Sequence, residues 1–216
     1  ALKNRNLLAF VLLLFFYQSG CMLMTASVNY VVKYVLAAES SQATPIFAGM
    51  LVGTLLSILI WMQVAKRLKN NQLMLILCSF VLALFAFPLS FLSSATAYIA
   101  AMALWGLGFG GFWTFMSPAM ADVIDSLVVA QKRRDDGVVM GIRAFFMRFS
   151  YASQAMVFFI VHKVTAFDPL AVTDQARWGI RLHMGVIPSL FFLAGGLLFL
   201  RMNTLGPAEV AKNHQM

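Results

Sequence analysis

The chain of 216 residues is 61% hydrophobic and only 11% charged, against roughly 45–50% and about 25% in soluble domains, which excludes a water-soluble globular fold. A net charge of +8 raises the question of nucleic acid, but the basic residues fall between apolar runs rather than in one contiguous stripe, which excludes that partner. The length accommodates six spans of about 20 residues joined by short loops and leaves little for a soluble module.

The first apolar run, residues 6–36, is longer than a membrane-normal helix needs, so it is expected to tilt or to emerge at one end. It carries Gln18, Ser19, Asn29, Tyr30 and Lys33. The second, 43–64, stops at Lys66-Arg67-Leu68-Lys69 and an asparagine pair. The third covers 72–92, with Pro88 near its far end. In the fourth, 97–120, Gly106, Gly108, Gly110 and Gly111 lie between Trp105 and Trp113, a composition that permits close helix approach or local bending. The fifth, 137–164, and the sixth, 178–202, precede a polar tail. The expected fold is therefore an all-α membrane protein in which residues 1–216 form one bundle of six transmembrane helices.

Loop charge gives the orientation. Lys3, Arg5, Lys66, Arg67, Lys69, Lys132, Arg133, Arg134, Arg201 and Lys212 fall on one side; Lys163, Arg177 and Arg181 fall on the other, with Lys33 near its edge. Both termini are thus expected to be cytoplasmic, in a multi-pass protein of the plasma or inner membrane. Cys21 and Cys78 sit inside apolar segments without a metal-ligand spacing and read as small buried hydrophobes. The chain opens Ala-Leu-Lys-Asn rather than with Met, and its first apolar run is too long for a leader peptide and has no A-x-A cleavage pattern, so a fragment or processed piece of something longer is expected.

Ionisable residues within spans are functional candidates, since a charge at the bilayer centre costs at least about 2.5–3.5 kcal/mol. Counting from Gly137 at 1.5 Å per residue, Arg143 lies about 9 Å and Arg148 about 16 Å into the fifth span, the latter near mid-membrane. Arg143, Met147, Ser150 and Gln154 share one helix face, and Arg148 and Tyr151 an adjoining one. A purely structural alternative has the arginines bonded to carbonyls or to a neighbouring acid, yet none of the eight acidic residues falls in mid-span. Asp122 and Asp125 end the fourth span and precede Lys132-Arg133-Arg134-Asp135-Asp136. Such a cluster at one membrane face can form ion pairs that hold helix ends together, or it can be an ordinary solvated loop. Trp105 and Trp113 share a face and can line a cavity, with core packing an equal reading for Trp105. His162 and His183 read as isolated interfacial residues. No HExxH, G-x-S-x-G or Walker A pattern is present, so an enzyme is not expected.

The run from Trp113 through Asp122-Val-Ile-Asp125, then Arg134-Asp-Asp136 and Arg148, resembles the second half of the glycoside-pentoside-hexuronide cation symporters, the melibiose permease family of the major facilitator superfamily. Gln175-Ala-Arg-Trp-Gly-Ile and Ile187-Pro-Ser-Leu-Phe-Phe extend the likeness. Two departures stand out: Asp136 occupies the position of a glutamate, and Arg148 that of a lysine. The resemblance implies that Trp113 lines the sugar cavity and that Asp122, Asp125, Arg134 and Asp136 belong to a cytoplasmic gate; the polar stripe of the fifth span adds Arg148, Tyr151 and Gln154 as expected substrate contacts and Arg143 as an expected member of the gate. The resemblance also implies no metal and no cofactor in this chain, the coupling Na⁺ or H⁺ being bound by a missing N-terminal six-helix half. The expected function is half of a secondary transporter that moves a sugar or glycoside by alternating access. Two other readings stand beside it: a non-transporting half that serves as a membrane-embedded structural or assembly subunit, and a half-size transporter completed by dimerisation.

Overall fold

The computed structural model describes residues 4–132 and 135–213. Among the described residues there are eight α-helices: α1 Arg5–Tyr30, α2 Ala43–Leu68, α3 Asn71–Ala86, α4 Ala95–Gln131, α5 Asp136–Val164, α6 Asp174–Arg181, α7 Ile187–Met202 and α8 Pro207–Asn213. Residues 31–35 prolong α1 as a π-helical turn, and a second π-turn, 182–186, fuses α6 to α7, so the helices make six apolar membrane spans.

The ends follow local chemistry. Asn4, Asn70, Ser94 and Thr173 cap the helices they precede, their side chains accepting from backbone N–H groups of the first turn. Lys69 and Lys132 end α2 and α4 in left-handed conformations at φ 47° and 52°, which turn the chain out of the helix and leave a cation near its negative end. The start of α1 and the end of α7 lie together: Arg5 donates to the Arg201 carbonyl (2.6 Å), and the Thr204 N–H donates to Asn6 Oδ1 (2.9 Å).

Five of the six spans start or stop within a few residues of the sequence expectation, while the fourth runs on to Gln131 instead of ending near Met120. Asp122 lies level with Asn71 and Gln72, which begin α3. The last two turns of α4 therefore project past the level at which its neighbour enters the bundle, where a helix needs no lipid to persist.

Neighbours follow one another in the order α2, α4, α3, α7, α1, α5, so α2 and α5 are the flanks of the arrangement and each packs mainly on one side. The α2–α4 seam is built from small residues. A Cβ on Gly53 would lie 1.8 Å from the Ala103 carbonyl oxygen, and one on Gly106 would lie 2.4 Å from that of Met50. Only glycine lets these backbones approach so closely, the behaviour of small residues every four positions in membrane helices. Trp61 bridges the same seam, its Nε1–H donating to the Leu107 carbonyl (2.7 Å).

The centre is aromatic. Tyr17 stacks on Phe112 at 3.7 Å between ring centres, and Trp105 packs on Phe109 and Phe192. Cys21 and Cys78 are both buried thiols.

Burial is unequal. The apolar window of α1 is 72% buried, that of α2 28% and that of α5 only 6%. Leu55 and Leu59 of α2 and Phe145, Phe149 and Phe159 of α5 are open.

Candidate functional site

Two regions collect the site residues expected from the sequence. The first is the open face flanked by α2 and α5. Trp113, about two turns of α4 beyond buried Trp105, is 48% exposed there. Core packing thus claims Trp105, and Trp113 is the indole left available for stacking.

On α5, Ser150 faces inward and donates to the Phe15 carbonyl of α1 (3.2 Å). Arg143, seven residues earlier on the same side, turns its guanidinium to α4, with Nη2 3.7 Å from Met116 Sδ and Nη1 4.0 Å from Met140 Sδ. Thioether sulfur is a weak acceptor, and Arg143 Nε is buried without a partner. Among the described residues the acceptors of this guanidinium are sulfurs, and a cation held by sulfur retains most of its capacity to bind an anion or a hydroxyl-rich ligand.

Arg148 lies on the opposite side of α5, exposed, with Tyr151 55% exposed nearby and Gln154 half-buried. At position 148 the helix is about 18 Å from its start at Asp136, close to mid-span. Arg148 makes no hydrogen bond or ion pair among the described residues. Arg143 and Arg148 therefore diverge: one faces α4, the other faces out of the bundle.

The second region is the end of the bundle that bears the basic loops. Asp122 is 5% exposed and accepts from Asn71 Nδ2 (3.1 Å) and Gln72 Nε2 (3.4 Å). These amides tie α4 to the start of α3. Gln72 also donates to the Ala119 carbonyl (3.1 Å). Asp125 is half-buried one turn further along α4. Asp136 opens α5, where an acid suits the positive helix end, and lines a small cavity with Ile124, Val128 and Gln131 of α4. Arg134, expected as a further member of this cluster, lies outside the described residues.

Sequence reasoning missed the asparagine and glutamine that hold Asp122. The signal was present, because two amide side chains opening an apolar span need a polar partner at that level. It also missed a meeting of His162 and His183, expected as isolated residues, whose ring centres lie 5.5 Å apart.

Among the described residues no group of three or more His, Cys, Asp or Glu is placed to hold a metal ion. The arrangement is that of a membrane bundle with an open, partly polar face, a exposed tryptophan and two divergent arginines. No curated protein matches the chain. The sequence profile described as MFS/sugar transport protein matches residues 1–204. That match covers nearly the whole six-helix fold, and the chain belongs to the MFS/sugar transport protein family of membrane transporters.

Proposed function

We propose that this chain is the C-terminal six-helix half of a cation-coupled sugar or glycoside transporter of the melibiose permease type. The observation that carries this reading is the open face: α2 and α5 are flanks with 28% and 6% of their apolar windows buried, and α5 presents Arg148 on its exposed side near mid-span. An arginine facing hydrocarbon there costs at least about 2.5–3.5 kcal/mol. A second six-helix bundle laid over this face turns the cost into a contact, supplying an acid or a polar cavity wall.

The two halves then rock about a site at mid-membrane. Trp113 offers its indole to the apolar face of a sugar ring, while Arg148, Tyr151 and Gln154 supply hydroxyl-directed donors. Asp122, Asp125, Asp136 and Arg143, with Arg134, form a charged gate at the basic-loop end, which is cytoplasmic by the excess of Lys and Arg there. Na⁺ or H⁺ binds in the other half.

Uptake of radiolabelled sugars by membrane vesicles carrying the whole transporter, with and without a Na⁺ or pH gradient, tests this. Hydrogen bonds to a charged group contribute about 1.5–3 kcal/mol, so Arg148→Ala lowers gradient-driven uptake by about tenfold or more. Arg148→Lys keeps the charge and loses the planar fork, and falls between the two. Uptake unchanged in Arg148→Ala at equal membrane abundance overturns the role of Arg148.

A further inference from the structure

Tyr17 of α1 lies in the aromatic centre of the bundle and is 3% exposed. Its ring stacks on Phe112 of α4 at 3.7 Å between centres, with the planes 4° apart, and lies 6.3 Å from both Phe109 of α4 and Phe192 of α7. That packing accounts for the ring. It does not account for the hydroxyl, which is buried and makes no hydrogen bond.

A buried hydroxyl without a partner costs about 1–3 kcal/mol, and a phenylalanine here would keep the ring contacts without that cost. Polar groups beside the Tyr17 hydroxyl include the Cys21 thiol, one turn along α1, and the Trp113 indole of α4. An indole N–H only donates, and a thiol sulfur is a weak acceptor. The phenolic proton therefore has no strong acceptor among the described residues.

Its position points to an acceptor that comes and goes. Tyr17 is about 18 Å along α1 from its start at Arg5, the same depth as Arg148 along α5. Both helices start at the basic-loop end, so the two residues stand at about one level, near mid-membrane. Trp113, 48% exposed on the open face, lies against the Tyr17 hydroxyl from that side. The unused proton is thus directly behind the indole that the open face offers for stacking.

Two other aromatic side chains bury an unpartnered polar atom, Trp105 at Nε1 and Tyr98 at its hydroxyl, and neither is so placed. Trp105 lies about 12 Å nearer the start of α4 than Trp113, and Phe109 packs on both indoles, at 5.3 Å and 6.3 Å. Tyr98 is in the first turn of α4, near Arg181 at the far end of the bundle.

Resting on the sugar-transport reading, we propose that Tyr17 is a further substrate-binding residue, whose hydroxyl donates to one hydroxyl of the sugar ring seated on Trp113. In the empty bundle Trp113 shields this donor. An exposed side chain changes rotamer on a picosecond to nanosecond timescale, so a turn of the indole uncovers the phenol without moving a helix. The stacked rings around Tyr17 hold the donor in place beforehand, which reduces the entropy lost when the sugar binds. A sugar with no oxygen at that point leaves the phenol unpartnered again and is rejected, so Tyr17 selects among epimers.

Binding calorimetry on the whole transporter in lipid nanodiscs tests this, with methyl α- and β-glycosides of glucose, galactose and mannose and their monodeoxy analogues as probes. Tyr17→Phe is expected to leave the thermal transition of the unliganded protein unchanged or raised, because no bond is lost. It is expected to weaken binding of the preferred glycoside about fivefold. The monodeoxy analogue that lacks the partner hydroxyl is expected to bind parent and variant equally. A lowered thermal transition gives the hydroxyl a structural partner and overturns the proposal. So does a loss of the same size for every deoxy analogue. A parent that binds a glycoside with an affinity unmoved by Tyr17→Phe overturns this inference alone, whereas a parent that binds none of the panel overturns the sugar reading and this inference with it.

Discussion

The α2–α4 seam and the α5 helix are built from similarly apolar sequence and have opposite fates. In the seam, glycines bring backbones into contact and Trp61 locks them with a hydrogen bond. On α5, Gly137 and Gly141 would meet nothing within 4 Å if a Cβ were added, and large aromatic residues stand open. Glycine in one place is a packing device, and in the other it leaves room. The difference teaches that apolarity specifies a membrane span, whereas the neighbours of that span are specified by small residues and by polar groups that need partners.

The widest separation between the two regions comes from filling the seam. Gly53→Leu drives a side chain into the Ala103 carbonyl and is expected to cost about 3 kcal/mol or more, so that the protein fails to accumulate or unfolds at much lower temperature in detergent. Removing the acceptor that α3 uses is milder. Asp122→Ala strands the Asn71 and Gln72 amides, and the thermal transition is expected to report a loss of about 1–3 kcal/mol. Trp61→Phe keeps most of the ring packing and loses only the donation to Leu107, about 1 kcal/mol by the same measurement. Gly141→Ala on α5 is the smallest change: within about 1 kcal/mol and on the stabilising side, because alanine favours helix and has open space to enter. A Gly141→Ala variant as damaged as Gly53→Leu breaks the distinction.

Much of this was legible in the chain. The six spans follow from apolar length alone, and the glycines between Trp105 and Trp113 announced a close approach, which the structure assigns to α2 at Gly106 and Gly110 and to α3 at Gly108. The extension of α4 was hidden because Asp122 and Asp125 look like the edge of a membrane segment, although a helix continues into water when capped and packed by other elements. The polar stripe of α5 was visible as a periodicity, but which residues faced inward was not. Ser150 turns to α1 and Arg143 to a methionine on α4, leaving Arg148 outward, and that division depends on the angle at which α5 docks. The meeting of His162 and His183 rests on three helices converging, a property no local spacing encodes.

Leu84 of α3 and Phe159 of α5, which lies on the same stripe as Arg148 three turns on, are 65% and 66% exposed. Lipid-phase photolabelling of the whole protein in its native membrane distinguishes them. If α2 and α5 are covered by a second bundle, the α5 stripe is protected while Leu84 is labelled strongly. Equal labelling of Leu84 and the stripe around Arg148 would contradict the assignment of this chain as half of a transporter.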